Sequence, residues 1–205
     1  NAERLRRNMR DIPCVKIPRI HWGITGPFLL AMDYVEGVRI DDVAAIRAFG
    51  LFPEEIADIG FQAYVQQIFV DGFFHGDPHP GNLFVTEQGE VVFLDYGIVG
   101  VLRPERKRMF IDLLLAMTRT DVAGVVSALE RLDVRIRPSD LDAVKDDLYL
   151  VLLDYREMSL ERMNFATALG GLTDTLRRYH IRVPPTLMLM MKVISMPMAT
   201  GKSML

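Results

Sequence analysis

The spacing of apolar residues changes near residue 95 and divides the chain into two parts. Before that point, short apolar runs at residues 15–22 and 27–34 lie around the glycine-rich residues 23–26, which is typical of two strands joined by a turn. The continuous run at residues 28–32 predicts a buried strand. After that point, apolar residues recur every three or four positions, which predicts helices. We therefore expect few strands, all before about residue 95, and about five later helices.

Prolines, acidic residues and glycines mark the ends of the predicted helices. Residues 1–9 are expected to form the end of a helix. Pro53 begins a second helix that ends at Gly72, because proline suits a first helical position and glycine a C-terminal cap. Pro104 begins another, and Asp121 is expected to cap the helix at residues 122–132. Further helices are predicted at 140–154, at 164–179 and from Pro184 onward. The buried face of the second helix is expected to hold Ile56, Ile59, Ala63, Gln67 and Val70.

Two short apolar segments, residues 83–86 and 91–94, are joined around Gly89 and predict a tight hairpin. Asn82 precedes the first segment and Asp95 follows the second, so pairing of the two strands would make them face each other. Asp77 lies on the loop that leads into the hairpin. One amide oxygen and two carboxylates that converge in this way suit Mg²⁺, a cation that prefers oxygen ligands.

Asp, Asn, Gly and Pro are also common turn residues, and a single Asp-x-Gly carries no functional information. Here the loop with Asp77 and Asn82 is followed by the Asp-x-Gly at Asp95, with a predicted strand pair between them. This combination favours a functional site over ordinary turns. The protein-kinase template divides the work in the same way. There, a loop aspartate orients the acceptor, and an asparagine and a later aspartate hold the metal.

Composition excludes several classes of function. The chain has 205 residues, 50% of them hydrophobic, and a formal net charge of −3, which gives no case for nucleic-acid binding. The single cysteine, Cys14, excludes an internal disulfide and is expected to be a packing residue. No signal peptide and no apolar run of roughly 18 to 20 residues for a membrane span is visible. Because the chain starts at Asn1 without a methionine, we expect it to be part of a longer protein.

The segments F-F-H-G-D-P-H-P-G-N, residues 73–82, and F-L-D-Y-G, residues 93–97, closely resemble signature elements of the UbiB/ADCK family of atypical protein-kinase-like proteins. The resemblance continues in residues 18–22 and 30–37 and covers nearly the whole chain. It implies an α+β, protein-kinase-like fold with a mostly helical C-lobe. The resemblance also implies a division into lobes: residues 1–31 are a remnant of the N-lobe, residues 32–40 are the hinge, and residues 41–205 are the C-lobe.

The resemblance also implies a role for individual residues. The implied roles are of three kinds: catalysis at the transferred phosphate or its acceptor, binding of magnesium, and binding of the adenine of ATP. Among the adenine-binding residues, Met32 is the gatekeeper, and Phe84 forms the apolar surface below the base. His75 is expected to be a structural loop residue. The implied residues are Asp77 and His79 as catalytic groups, Asn82 and Asp95 as metal ligands, and Met32, Asp33, Tyr34, Val35 and Phe84 as nucleotide-binding residues.

Three replacements depart from the usual pattern, and the first is Asp33, which stands where the family more often has Glu. Tyr96 stands where the family has Phe, and Gly76 stands where kinases have the Arg that reads an activation-loop phosphate. The phosphate-covering loop, the strand lysine and its glutamate partner belong upstream of Asn1. We therefore expect residues 1–205 alone to be inactive.

The function that the resemblance implies is Mg²⁺-dependent ATPase or phosphotransfer chemistry that supports quinone (ubiquinone-type) biosynthesis or lipid metabolism. The implied location is the cytoplasmic face of a membrane: the bacterial inner membrane, or a mitochondrion or plastid. The implied partners are nucleotide, lipid or quinone-pathway enzymes, and the membrane surface. Two alternatives stay open: a small-molecule phosphotransferase of the aminoglycoside/choline kinase type, whose loop reads H-x-D-x-x-x-x-N, and a non-catalytic pseudokinase scaffold.

Overall fold

The computed structural model describes residues 1–153 and 165–203. The chain divides into two compact units: Asn1–Val101 with Met196–Leu205, and Leu102–Ser195. The helices are α1 (Ala2–Met9), α2 (Val43–Ala48), α3 (Pro53–Val65), α4 (Pro104–Thr118), α5 (Val122–Arg131), α6 (Leu141–Leu153), α7 (Phe165–Arg178) and α8 (Pro185–Ser203). The strands are β1 (Val15–Lys16), β2 (Val38–Arg39), β3 (Phe73–His75), β4 (Leu83–Val85), β5 (Val91–Phe93) and β6 (Val99–Val101).

The predicted hairpin forms the middle of a sheet in the first unit. Strands β4 and β5 pair antiparallel, with Leu83 opposite Phe93, and the sheet order is β1-β5-β4-β2. Gly89 adopts a φ of 79° in the turn, a left-handed conformation that glycine reaches without steric cost. The hairpin prediction is confirmed, and it places the residues before β4 and after β5 at one end of the sheet.

A second, two-stranded sheet pairs β3 with β6, and His75 lies opposite Val99. The expectation that all strands lie before about residue 95 is therefore wrong. The signal was missed because each strand has three residues and β6 contains Gly100, a residue that is depleted in strands. The glycine is needed there, since a Cβ at Gly100 would lie 2.0 Å from Cζ of the Phe74 ring. The two paired strands are connected by residues 76–98, the segment that carries Asp77, Asn82 and Asp95.

Residues 15–34 form much less regular structure than their apolar runs predict. Only Val15–Lys16 is a strand, and it pairs in parallel with β5. The two predicted strands meet through an isolated bridge between Ile20 and Met32. Phe28 is fully exposed and Leu30 is 54% exposed, so the predicted buried strand at residues 28–32 is wrong. A continuous apolar run is buried only where other elements cover both of its faces.

Cys14 is exposed and is not a packing residue, which corrects the sequence-based expectation. Its φ of 59° is in the left-handed region, and its carbonyl oxygen accepts a 2.7 Å hydrogen bond from the backbone N–H of Val91. The residue therefore contributes to the sheet edge through its backbone.

Helix α3 starts at Pro53 as predicted and continues as a π-helical segment, Gln66–Asp71, which ends at Gly72 with a φ of 61°. Ile56, Ala63 and Gln67 are buried as predicted, but Ile59 is half-buried and Val70 is 60% exposed. A π-helix has more residues per turn than an α-helix, so the spacing of three and four no longer keeps one face inward. Ile68, next to Gln67, is buried instead of Val70.

The second unit is helical, as the spacing after residue 95 predicts. Within the described residues, five α-helices and one short 3₁₀ helix, Pro138–Asp140, follow residue 95. None of the helices in the described part of the chain is both long and apolar enough to cross a bilayer. Completely buried side chains of this unit include Phe110, Leu113, Leu129, Val144, Leu169 and Leu176.

The predicted cap of α5 is confirmed: Asp121 Oδ1 accepts a 2.8 Å hydrogen bond from the N–H of Gly124. We expect Asp121→Ala to lower the free energy of unfolding by about 1 kcal/mol, because it leaves a helix N-terminal donor without its acceptor. Chemical denaturation measures this change. Asp146→Ala, at an exposed position inside α6, is the matched control and is expected to shift stability by less than about 0.5 kcal/mol. Equal effects of the two substitutions would contradict the capping role.

Candidate active site

Asp77 and Asn82 are in direct contact on the loop between β3 and β4. Residues Pro80–Asn82 form a short 3₁₀ turn, which carries the Asn82 amide back toward Asp77. Asn82 Nδ2 donates hydrogen bonds to Asp77 Oδ2 at 3.0 Å and to the Asp77 backbone oxygen at 3.2 Å. Because the nitrogen of the amide is used in this contact, its oxygen Oδ1 remains as a ligand atom for a cation.

Asp95 follows β5 at the same end of the hairpin. The N–H of Leu94 donates to the Asn82 backbone oxygen at 2.8 Å, which extends the β4–β5 ladder by one step, and Asp95 is the next residue. The side chain of Asp95 is exposed, and its Oδ1 accepts from the N–H of Gly97 at 3.1 Å. Its φ of 53° is uncommon for a residue other than glycine, and such conformations cluster at functional sites.

His75 connects the loop of Asp77 with the segment of Asp95. It is completely buried, and its Nε2 donates to the backbone oxygens of Leu94 at 2.7 Å and Asp95 at 2.8 Å. Its Nδ1 accepts from the N–H of Asp77 at 3.3 Å. Carbonyl oxygens only accept and a backbone N–H only donates, so the imidazole is neutral with its proton on Nε2. These contacts support the expected structural role of His75, although it is the last residue of β3 and not a loop residue.

Two buried side chains below this loop come from α3 and its π-helical end, and sequence reasoning did not assign them to the site. Gln67 Oε1 accepts from the N–H of His75 at 2.8 Å. Tyr64 packs edge-on against Phe93, with ring centroids 5.3 Å apart. Burial, and then the charge of Asp77, raise the pKa of the Tyr64 hydroxyl. The available signal was a polar Gln67 on an otherwise apolar helix face.

His79 is exposed at the start of the 3₁₀ turn, and its Nδ1 accepts from the N–H of Gly81 at 3.0 Å. The acceptor role of Nδ1 leaves Nε2 as the ring nitrogen that presents a proton to solvent. His79 therefore offers a hydrogen-bond donor on the same loop as Asp77. Its sequence-based assignment to the transferred phosphate stays a prediction.

Met32 and Asp95 both line a cavity of about 580 Å³. Its volume lies within the usual range for small-molecule sites. Asn1 at the start of α1 also lines it and donates from Nδ2 to the Tyr96 backbone oxygen at 2.8 Å, which fixes one wall. The remaining lining is mostly apolar and consists of Ala2, Glu3, Ile20, Trp22, Leu30, Tyr96 and Gly97.

The other predicted nucleotide-binding residues lie outside the lining of this cavity. Asp33 accepts from the N–H of Arg19 at 3.2 Å and pairs with His21 at 2.8 Å. The bond from Arg19 is the main reason that the pKa of the Asp33 carboxyl is lowered. Tyr34 is 88% exposed, and Val35 is half-buried. Phe84 is half-buried in β4. The adenine-binding roles of these four residues stay predictions.

Tyr96 replaces the usual phenylalanine without leaving its hydroxyl unpaired. The ring is buried, and the hydroxyl donates to the Phe93 backbone oxygen. Burial raises the pKa of this hydroxyl, so it stays protonated as a donor at neutral pH.

The donor set at the end of the hairpin fits magnesium. Within the described residues, no cluster of three or more His, Cys, Asp or Glu side chains could enclose a metal ion. Magnesium does not need one, because it usually binds one or two carboxylates and completes its shell with waters and substrate phosphates. The oxygens of Asn82 and Asp95, with Asp77 beside Asn82, meet that requirement.

The architecture is that of a kinase-like α+β protein. The solved structure titled the complex of Rv3197 with erythromycin, from Mycobacterium tuberculosis, superimposes with a TM-score of 0.56 at 18% identity. The match covers 99% of this chain and 53% of that one. At this identity the likeness shows the fold alone.

Residues 1–129 match the ABC1 atypical kinase-like domain, and residues 149–202 match the UbiB helical domain. The chain belongs to the ABC1 atypical kinase-like family. This membership confirms both the resemblance to UbiB/ADCK proteins and the expected fold class.

Curated relatives come from bacteria and plants. A protein of Cronobacter sakazakii named "Probable protein kinase UbiB" is 32% identical over 95% of this chain and 36% of its own length. "Protein ACTIVITY OF BC1 COMPLEX KINASE 1, chloroplastic" of Arabidopsis thaliana is 29% identical over 90% of this chain and 27% of its own length. An uncharacterised Synechocystis protein is 30% identical over the whole chain and 35% of its own length. The chain therefore spans only about a third or less of the relatives that it matches.

Proposed function

We propose that the chain provides the metal ligands and the catalytic loop of an ATP-dependent phosphotransferase or ATPase. Two contacts at one end of the hairpin support this most. The side chain of Asn82 contacts that of Asp77, and the backbone of Asn82 pairs with Leu94, the residue before Asp95. A purely structural turn would not need the Asn82 amide to hold the Asp77 carboxylate beside the strand end that leads to Asp95. Membership of a kinase-like family supports the same reaction class.

In this proposal Asn82 and Asp95 hold Mg²⁺. When bound, the cation neutralises charge on the phosphate oxygens. Asp77 orients the acceptor hydroxyl or a water, and the amide of Asn82 holds its carboxylate in place. His79 donates from Nε2 to the transferred phosphate without carrying a permanent charge. The contribution of these residues is positioning and electrostatic stabilisation.

The adenine would lie between the gatekeeper Met32 and the floor formed by Phe84. Backbone groups of the hinge residues Asp33, Tyr34 and Val35 would bind its edge. The cavity that Met32 and Asp95 both line supports this placement of the adenine, because it connects the proposed base site with the proposed metal ligand.

The wider role that we propose is support of quinone (ubiquinone-type) biosynthesis or lipid metabolism at the cytoplasmic face of a membrane, in contact with lipid or with enzymes of the quinone pathway. The relative named UbiB supports the first part. Relatives named as chloroplastic support an organelle location where the chain is of plant origin.

Calorimetric titration of the full chain with ATP in the presence of Mg²⁺ tests the proposal. We expect binding that requires Mg²⁺, and we expect Asp95→Asn to weaken it at least about tenfold, since loss of even an indirect metal partner costs that much. Asp58→Asn, an exposed carboxylate in α3, is the control and should leave the affinity unchanged. Equal affinity in the absence and presence of Mg²⁺ would contradict the metal assignment.

Turnover assays with the full-length protein that contains residues 1–205 separate the remaining alternatives. Fast, stoichiometric phosphorylation of small alcohols would indicate a phosphotransferase of the aminoglycoside/choline kinase type. ATP binding without any turnover in the full-length wild-type protein would indicate a pseudokinase scaffold.

A further inference from the structure

Gln67 is a polar side chain in a position where the helix is otherwise apolar. It is completely buried, as are its neighbour Ile68 and the strand residue His75. A buried amide costs free energy unless it is hydrogen-bonded. Its oxygen Oε1 accepts from the backbone N–H of His75 at 2.8 Å, whereas its Nε2 has no partner among the described residues. The oxygen is therefore the part of the side chain that the fold uses.

The bond from Gln67 begins a continuous series of contacts. His75 contacts the backbone of Asp77 through Nδ1 and that of Asp95 through Nε2. Its ring also packs near Phe93 and Tyr96, with centroid distances of 5.9 and 6.2 Å. The orientation of the His75 backbone thus determines where the imidazole lies between the two aspartates.

Gln67 lies at the start of a π-helical turn. In a π-helix the side chains after the insertion rotate relative to α-helical spacing, and such turns are frequent at functional sites. Here the segment Gln66–Asp71 turns Val70 outward, whereas Gln67, its second residue, stays on the buried face and reaches the backbone N–H of His75.

We propose that Gln67 is a positioning residue for the Asp77–Asp95 site. Its carboxamide oxygen holds the backbone of His75 so that the neutral imidazole, protonated on Nε2, bridges the backbones of Asp77 and Asp95. Gln67 does not touch the reacting groups and acts through His75. The consequence for metal binding rests on the proposed magnesium function, but the effect on His75 does not.

Three substitutions separate the oxygen from the rest of the side chain. Gln67→Met keeps the length but removes the acceptor, and Gln67→Asn withdraws the acceptor by one methylene. Gln67→Glu keeps an acceptor oxygen at the same reach. The matched control is Gln66→Met in the preceding residue, whose amide donates to Asp71 at 3.4 Å and not to the loop.

The first measurement is the long-range ¹H–¹⁵N correlation spectrum of the imidazoles in the full chain. Four histidines occur, and His75 is the buried one, since His21, His79 and His180 are exposed. We expect a single Nε2-protonated pattern for His75 in the wild type, in Gln67→Glu and in Gln66→Met. We expect a mixture of the two tautomers in Gln67→Met and in Gln67→Asn. An unchanged pattern in both of these variants would overturn the proposal.

The second measurement is Mn²⁺ binding followed by electron paramagnetic resonance, with Mn²⁺ as a probe of the magnesium site. We expect Gln67→Met to weaken Mn²⁺ binding about tenfold, as loss of a residue that orients metal ligands does, and Gln66→Met to leave it unchanged. Absence of Mn²⁺ binding in the wild type would overturn the proposed function, while the imidazole pattern would still decide the role of Gln67. If Gln67→Met does not fold, Gln67→Asn provides the same comparison.

Discussion

Asp77→Asn, made in the full-length protein that contains residues 1–205, is expected to lower the kcat for ATP turnover by about two to four orders of magnitude, the usual contribution of a positioned acid or base. The substituted amide still offers an oxygen to Asn82 Nδ2, so the loop contact at 3.0 Å is expected to survive. Only the negative charge that orients the acceptor is removed. The affinity for ATP in the presence of Mg²⁺ should therefore stay within a few-fold of the wild-type value.

Steady-state kinetics combined with the calorimetric titration distinguish a loss of chemistry from a loss of binding. Asp58→Asn again serves as the matched control, because it removes an exposed carboxylate of the same unit. A kcat equal to that of the wild type would remove Asp77 from the catalytic machinery. A parallel loss of kcat and ATP affinity would indicate that Asp77 belongs with the metal ligands instead.

Gly100→Ala is expected to lower the free energy of unfolding by about 1 to 3 kcal/mol, the range for overpacking a closely packed core. The new Cβ would lie 2.0 Å from Cζ and 2.3 Å from Cε1 of Phe74. The Phe74 side chain is completely buried, and the backbone of Phe74 pairs with that of Gly100. Neither the ring nor the strand that carries Gly100 therefore has room to move away from the new methyl group. Chemical denaturation of the full chain measures the loss.

Gly23→Ala is the control, because a Cβ at Gly23 meets no atom within 4 Å. The double substitution Gly100→Ala with Phe74→Leu should be more stable than the sum of the two single effects predicts, since the smaller side chain makes room for the methyl group. Strict additivity of the two changes would show that the Phe74 ring is not the obstacle.

Helix ends and the central hairpin could be predicted because their causes are local. Pro53, Pro104 and Asp121 determine helix starts through the missing N–H of proline or through a side-chain cap. Gly89 permits the turn between β4 and β5. Each of these signals needs only neighbouring residues, so the sequence contains it completely.

The elements that sequence reasoning missed depend on distant partners. Strands β3 and β6 are too short to show a period, and they pair only because Gly100 accommodates the Phe74 ring. The apolar run at residues 28–32 predicts burial, but Phe28 and Leu30 are exposed. Periodicity describes the residues of one segment and contains no information on which other segment covers them.

By itself, the sequence determined the family, the order of the helices and the placement of Asn82 and Asp95 at the two ends of one hairpin. Short-range sterics, capping and strand pairing are sufficient for these features. Only the tertiary structure decided that Gln67 holds His75, and that one imidazole joins the backbones of Asp77 and Asp95. Those bonds connect residues 2 to 20 positions apart through a π-helical turn and a second sheet. A buried polar side chain can bond to any group that folding brings near, and its identity alone does not specify which one.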